Sequence, residues 1–279
     1  MPAELSWNRY GKCHVRLVKV RRSHDSHEIV DATLDVQLEG AFAPVYIDGD
    51  NTSCLATDTM KNTVYALARH DRLDHIERFA LRLADHFAAK PRVSGVAISA
   101  LEHHWSRLSV NGRPHPHAFT QTEGEHWTTK VTRDTDGTRV ASGLTNLNVL
   151  KTSDSAFAGF PRDELTTLAE ADDRILATSV TATWTYRRGT TDFGVRERIR
   201  TVLLETFAAH VSRSVQDTLY AMATAALEAC GELTHITISL PNRHHLLVDL
   251  KPFGLDNPND VFVPTDEPYG LIEATVKRT

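Results

Sequence analysis

Hydrophobic and polar positions alternate along residues 12–38. His14, Arg16, Lys19 and Arg21 are interleaved with Val15, Leu17, Val18 and Val20; after a polar turn at residues 23–26 come Ile29, Val30, Ala32, Leu34, Val36 and Leu38. A period of two sends successive side chains to opposite faces of a strand, so this segment predicts an antiparallel hairpin with one wet face. A helix is predicted from Asp58 through Tyr65 and Leu67, with the Thr57-Asp58 pair as its N-cap. A second helix follows, because Leu73, Ile76, Phe79, Leu83 and Phe87 recur at steps of three and four and make one apolar stripe. Lys90-Pro91 ends it, since the residue before proline avoids the helical region. Short strand-like runs then occupy residues 93–105, 117–131 and 138–150.

The second half repeats this order loosely. A strand is predicted at 175–186, with Ser179, Thr181, Thr183 and Thr185 on one face. Helices follow at 193–210 and 215–230, then strands at 236–240 and 245–250 around a Pro241-Asn242 turn. Residues 255–268, rich in Asn, Asp and Pro, read as a long loop, and 269–276 as a final strand. Strands, then helices, then strands in each half describe an α+β fold built on antiparallel sheet, not a βαβ alternation.

Composition narrows the partners. The 279 residues are 41% hydrophobic and 24% charged, with a formal net charge of -5. A dedicated nucleic-acid binder carries a strongly basic domain, and this chain does not. An acidic protein that binds an anion must concentrate its positive charge locally, so single well-placed Arg or Lys residues are the candidates. Cys13, Cys54 and Cys230 are odd in number and far apart, with no Cys-x-x-Cys pair, which reads as reduced thiols in a cytoplasmic protein. No signal peptide is read at the N-terminus and no run approaches the roughly 20 apolar residues that span a bilayer. The ending Val276-Lys277-Arg278-Thr279 is not a peroxisomal Ser-Lys-Leu signal. No phosphate loop, nucleophile elbow or dinucleotide fingerprint is present.

Four stretches carry candidate chemistry. Among 15 histidines, His115 and His117 share a strand face and could share a metal, but no third ligand has convincing spacing. Residues 56–65 are an ordinary capped helix start or a display of Thr57 and Asp58 on tightly turned backbone. Residues 239–245 are an ordinary turn or a way to present Asn242 and His244 at a sheet edge. Phe157 opens an aromatic loop, and Arg174 sits at a strand start beside Asp172 and Asp173, where a surface ion pair is the plain alternative.

Taken together these stretches resemble the urate oxidase (uricase) family along nearly the whole chain. The match runs through Tyr10-Gly11-Lys12 with Val15-Arg16, residues 56–65, His117-Ala118-Phe119, 149–152, 157–168, 173–178, Ser214-Val215-Gln216, Leu240-Pro241-Asn242 with His244, and 249–275. The resemblance implies two tandem tunnelling-fold units, residues 1–138 and 139–279. Each is an antiparallel sheet with helices on one face, and the sheets close as a barrel in a homotetramer, which removes exposed sheet edges. It implies cofactor-independent oxidation of urate by dioxygen and water to 5-hydroxyisourate and hydrogen peroxide in purine degradation, at sites between subunits and without a metal. Lys12, Thr57 and His244 resemble the catalytic residues. Thr57, Asp58, Phe157, Arg174, Val215, Gln216 and Asn242 resemble the substrate-binding residues, with Leu168 padding the pocket and Thr57 and Asp58 supplied by a neighbouring subunit. Two rivals stand beside this: a non-catalytic purine-binding tetramer, and a pterin-type enzyme of the same fold using His115 and His117 for zinc. One departure is expected, a short His-rich loop over residues 102–116.

Overall fold

In the computed structural model, which describes residues 3–121 and 124–279, the alternating segment forms the predicted hairpin. Strand β1 (Tyr10–Arg22) pairs antiparallel with β2 (His27–Gly40). Ala32, Leu34, Val36 and Leu38 are fully buried on one face of β2. The chain then forms α1 (Ala43–Ile47), α2 (Thr57–His70) and α3 (Ile76–Ala88) before returning to the sheet as β3 (Val93–Glu102), antiparallel to β2. Helix α2 packs on β1. Helix α3 lays Ile76, Phe79, Leu83 and Phe87 on the sheet, all buried. Glu77 is also fully buried on α3, and its carboxylate accepts a hydrogen bond from Ser142 Oγ at 2.7 Å, as a buried polar group requires.

The stretch expected as a loop is instead a second hairpin, β4 (Trp105–Val110) with β5 (Arg113–Gln121). Asn111 and Gly112 turn it with φ of 52° and 74°, values that Asn and Gly accept most readily. Trp105 Nε1 ties the hairpin to the sheet by donating to Asp31 Oδ2 at 2.9 Å. Strand β6 (His126–Asp134) then pairs with β3, and β7 (Gly137–Lys151) follows it in the sheet.

The chain divides into two compact units. The first comprises Met1–Gly143 and Thr185–Gly194, the second Leu144–Trp184 and Val195–Thr279. In the second unit the sheet runs β7, β8 (Leu176–Tyr186), then, after helices α4 (Val195–Ala209) and α5 (Val215–Ala229), β9 (Leu233–Leu247) and β10 (Phe262–Lys277). Leu176, Ala177, Thr178, Ser179 and Val180 are all buried, so the start of β8 is covered on both faces. Helix α5 packs on β9 and β10, and Ile236, Ile238 and Leu240 of β9 are buried. Among the described residues, no helix is long and apolar enough to cross a membrane.

Two expectations about this unit are corrected. Pro241-Asn242 is not a turn: β9 runs unbroken through it, with Pro241 opposite Leu271 and Asn242 opposite Gly270. The irregularity lies on the partner strand, where 266–269 bulge out opposite Arg243. Proline cannot donate to a ladder, and a strand tolerates it beside such a break. Strand β10 accordingly begins at Phe262, inside the predicted loop.

Candidate functional site

Lys12 sits on β1 at a bulge between Lys12 and Val15, where His14 takes φ of 58° and its N–H donates to Asp35 Oδ1 at 2.7 Å. The residue before it, Gly11, lies so close to β2 that a Cβ there would come 1.9 Å from the Val36 carbonyl oxygen. Any side chain would push Lys12 out of register. Helix α2 begins at Thr57, capped by Ala56 with no side-chain bond, which corrects the expected Thr-Asp cap. Its first amide bonded back to the cap is that of Met60. The Thr57, Asp58 and Thr59 amides are therefore left open, as helix starts leave them. The Asp58 carboxylate is occupied within the helix, accepting from Lys61 Nζ at 2.5 Å and Asn62 Nδ2 at 2.9 Å. Those contacts with Lys61, and the more distant charge of Lys12, hold its carboxyl below the usual range. Lys12, Thr57 and Asp58 thus belong to one unit, with Lys12 within electrostatic reach of the helix start.

The second unit carries Phe157, Arg174, Val215, Gln216 and Asn242, of which Phe157 and Arg174 are in contact. Phe157 and Ala171 exchange backbone hydrogen bonds at 2.7 and 3.0 Å, closing the aromatic loop at its neck. Phe160 stacks on Phe157 with 4.9 Å between centroids and 12° between planes. The Arg174 guanidinium lies 5.3 Å from the Phe157 ring centre. The surface ion pair considered from sequence does not form. Asp173 instead accepts from Ser153 Oγ at 2.5 Å and the Ser155 amide at 3.2 Å, which holds its carboxyl below the usual range. Arg174 Nε is buried with no hydrogen-bond partner among the described residues, and burial alone pushes the group's pKa down. Arginine still stays charged there.

A parallel bridge from Ser155 to Ser212 brings the start of α5 beside this loop. Ser214 caps α5, its Oγ accepting from the Asp217 amide at 3.1 Å, so the Val215 and Gln216 amides remain open at the positive end of the helix. Gln216 is exposed and Val215 buried. Leu168 stands 54% exposed on the loop. Asp217 locks this corner by accepting from Arg213 Nη2 at 2.7 Å, from the Arg213 amide at 3.2 Å and from His210 Nε2 at 3.1 Å. The Arg213 side chain first, then its amide and His210, drive the Asp217 carboxyl far below the carboxylate range. A depressed folded pKa means that the stabilisation is complete above the unfolded value of about 3.9, declines below it, and is fully lost only as pH falls through the depressed folded value. Asp217→Asn is therefore expected to lower Tm at pH 7 while leaving a shallower fall in Tm toward pH 3. Parallel Tm–pH curves for the two proteins would remove this role.

Asn242 and His244 alternate on β9 with Arg243 and His245. A cavity of about 560 Å³ beside Arg174 is lined by Thr152, Asp173, His245, Asn259, Asp260 and Phe262, among others. The lining therefore includes His245, which sequence reading passed over, and not His244. A strand's period of two was the available signal: His244 and Asn242 share one face, and His245 the other. The other histidine pair does come together, His115 and His117 with ring centres 4.7 Å apart and His27 5.7 Å from His117. Among the described residues, no three His, Cys, Asp or Glu side chains converge as a metal would need.

The chain matches the Uricase family over residues 8–132 and 140–273. It is 46% identical over 276 residues to a uricase of Arthrobacter globiformis, covering 98% of this chain and 90% of the relative. A uricase of Dictyostelium discoideum is 38% identical over 282 residues, covering 99% of this chain and 98% of the relative. The crystal structure of the Arthrobacter globiformis uricase superimposes with a TM-score of 0.94 at 45% identity, covering 100% of this chain and 96% of that one. The chain belongs to the uricase family.

Proposed function

We propose that the chain oxidises urate with dioxygen and water to 5-hydroxyisourate and hydrogen peroxide, using no metal or organic cofactor. Urate oxidation by an oxygen-using oxidoreductase is the activity its family carries. One observation supports this chain's own site most directly: a half-buried guanidinium with an unpartnered N–H beside an aromatic ring. That is an arrangement for a planar anion. The Arg174 fork gives two parallel charge-assisted hydrogen bonds to the ring edge, and Gln216 offers a donor and an acceptor to the opposite edge. Phe157 stacks on the purine and fixes its plane. The open amides of Val215 and Asp58 supply further donors.

Chemistry then rests on proton removal. Thr57 passes a ring proton from urate to the Lys12 amine, and His244 orients Lys12 or a water and returns the proton later. Doubly deprotonated urate is electron-rich enough to reduce dioxygen itself; the radical pair recombines, hydrogen peroxide leaves and water adds. Asn242, with Thr57, holds dioxygen and then the attacking water above the ring. The protein supplies position and a site shielded from bulk water. The working form is a homotetramer in the cytoplasm, its sites built between subunits with Thr57 and Asp58 coming from a neighbour. Each chain contributes two tandem units dividing at 138/139. That point lies near the start of β7 and in the gap between the two family matches, whereas the compact units described above divide five residues later, at 143/144, and give Thr185–Gly194 to the first.

The test follows urate absorbance and hydrogen peroxide together, on dialysed protein with a chelator present. About one peroxide per urate consumed, unaffected by chelator, is the expected outcome. Urate binding without turnover would turn the reading to a purine-binding protein. Activity abolished by chelator and restored by zinc would turn it to a metal enzyme, with His115 and His117 examined first.

A further inference from the structure

We infer that Tyr10 is a positioning residue for the proton relay: its side chain ties the strand carrying Lys12 to the helix start carrying Thr57. This rests on the relay proposed above, with Lys12 entering the site from the same chain as Thr57. Lys12 and Thr57 are 45 residues apart in sequence and sit on different elements, β1 and α2. A relay between an amine and a hydroxyl needs their separation held to hydrogen-bond length. At the end of α2 that carries Thr57, the Leu55 amide donates to the Tyr10 hydroxyl oxygen at 2.9 Å; farther along the same two elements the Tyr65 hydroxyl donates to the Arg16 carbonyl at 3.2 Å and Lys19 Nζ to the Ala68 carbonyl at 2.7 Å. Tyr10 and Leu55 each lie two residues from the group they would position. Tyr10 and Lys12 share a strand face, and Leu55 lies two residues ahead of Thr57.

The tie is itself held in place. The Tyr10 ring meets Phe42 edge-on at 4.9 Å and 89°, and Phe42 is buried. Backbone on either side of Lys12 has little freedom, with Gly11 pressed on Val36 and the bulge following. Helix α2 has no side-chain cap of its own, and the Leu55 bond holds the chain just ahead of its N-cap, Ala56. Burial, and then the neighbouring Cys54 thiol, push the Tyr10 hydroxyl up to about 12. The phenol therefore stays protonated at working pH and acts as a fixed neutral acceptor, not as a competing base.

Tyr10→Phe keeps the ring against Phe42 and deletes only the acceptor. Misplacement on the scale of 1 Å costs up to about 100-fold in rate. The expected result in the full-length protein is a fall in kcat of about 10- to 100-fold, with KM for urate within about threefold of wild type and an unchanged far-UV spectrum. A second measurement separates positioning from general damage. In a Thr57→Ala background the relay is already broken, so adding Tyr10→Phe should change kcat less than about twofold. Wild-type kcat in Tyr10→Phe overturns the inference. So does a loss as large in the Thr57→Ala background as in wild type. Should Thr57→Ala itself turn over normally, the relay falls, and this inference with it.

Discussion

Arg174→Ala weakens urate binding by about 2–5 kcal/mol, roughly 30- to 4,000-fold in Kd. The size follows from where the guanidinium sits. It is half-buried, its Nε has no partner among the described residues, and the adjacent carboxylate of Asp173 is already taken by Ser153 and Ser155. A charge held in this way without a protein partner has an anionic ligand as its natural counterpart, and truncation leaves that anion partly desolvated and unpaired. Arg174→Lys keeps the charge but loses the fork and its contact with the Phe157 ring, so affinity should fall between the two. Titration of the variants with urate under anaerobic conditions measures this directly. Equal affinity for wild type and Arg174→Ala would sink the assigned role.

Lys12→Met cuts kcat by about 100- to 10,000-fold, the range a positioned acid–base group supplies, with urate binding largely intact. Met fills nearly the same volume and leaves the bulge at residues 12–15 undisturbed, so the change removes the amine and little else. The two substitutions thus separate two tasks. Arg174 acts on the ground state and should appear mainly in KM, whereas Lys12 acts only as the proton moves and should appear in kcat. Unchanged turnover in Lys12→Met would take it out of the mechanism. A rise in KM equal to that of Arg174→Ala would make it a binding residue.

Local chemistry made much of this protein legible. The β1–β2 hairpin and the stripe of α3 follow from periods of two and three-to-four, because a single buried face imposes its repeat on the sequence. Asn111-Gly112 is a hairpin-turn dipeptide, and around it the structure builds a hairpin where the family resemblance led to a loop being expected over 102–116. The site residues came from motif resemblance, since nothing in the periodicity around Arg174 or Lys12 distinguishes them from surface cations.

Partnership decided the rest, and partners distant in sequence leave no local mark. Pro241 looked like a turn because it lacks an N–H, but the bulge at 266–269 on β10 lets β9 run straight past it. Arg174 looked like half of an ion pair with its neighbours, until Ser153 and Ser155, some twenty residues earlier in the chain, claimed Asp173. His244 and His245 are adjacent letters that the pleat sends to opposite faces, and only the fold reveals which one lines the cavity by Arg174. Likewise, Tyr10 meets Leu55 across 45 positions. Periodicity reports which face is buried, since burial acts on every turn or pleat alike. Which donor meets which acceptor depends on chain segments brought together by packing, and that is settled only in three dimensions.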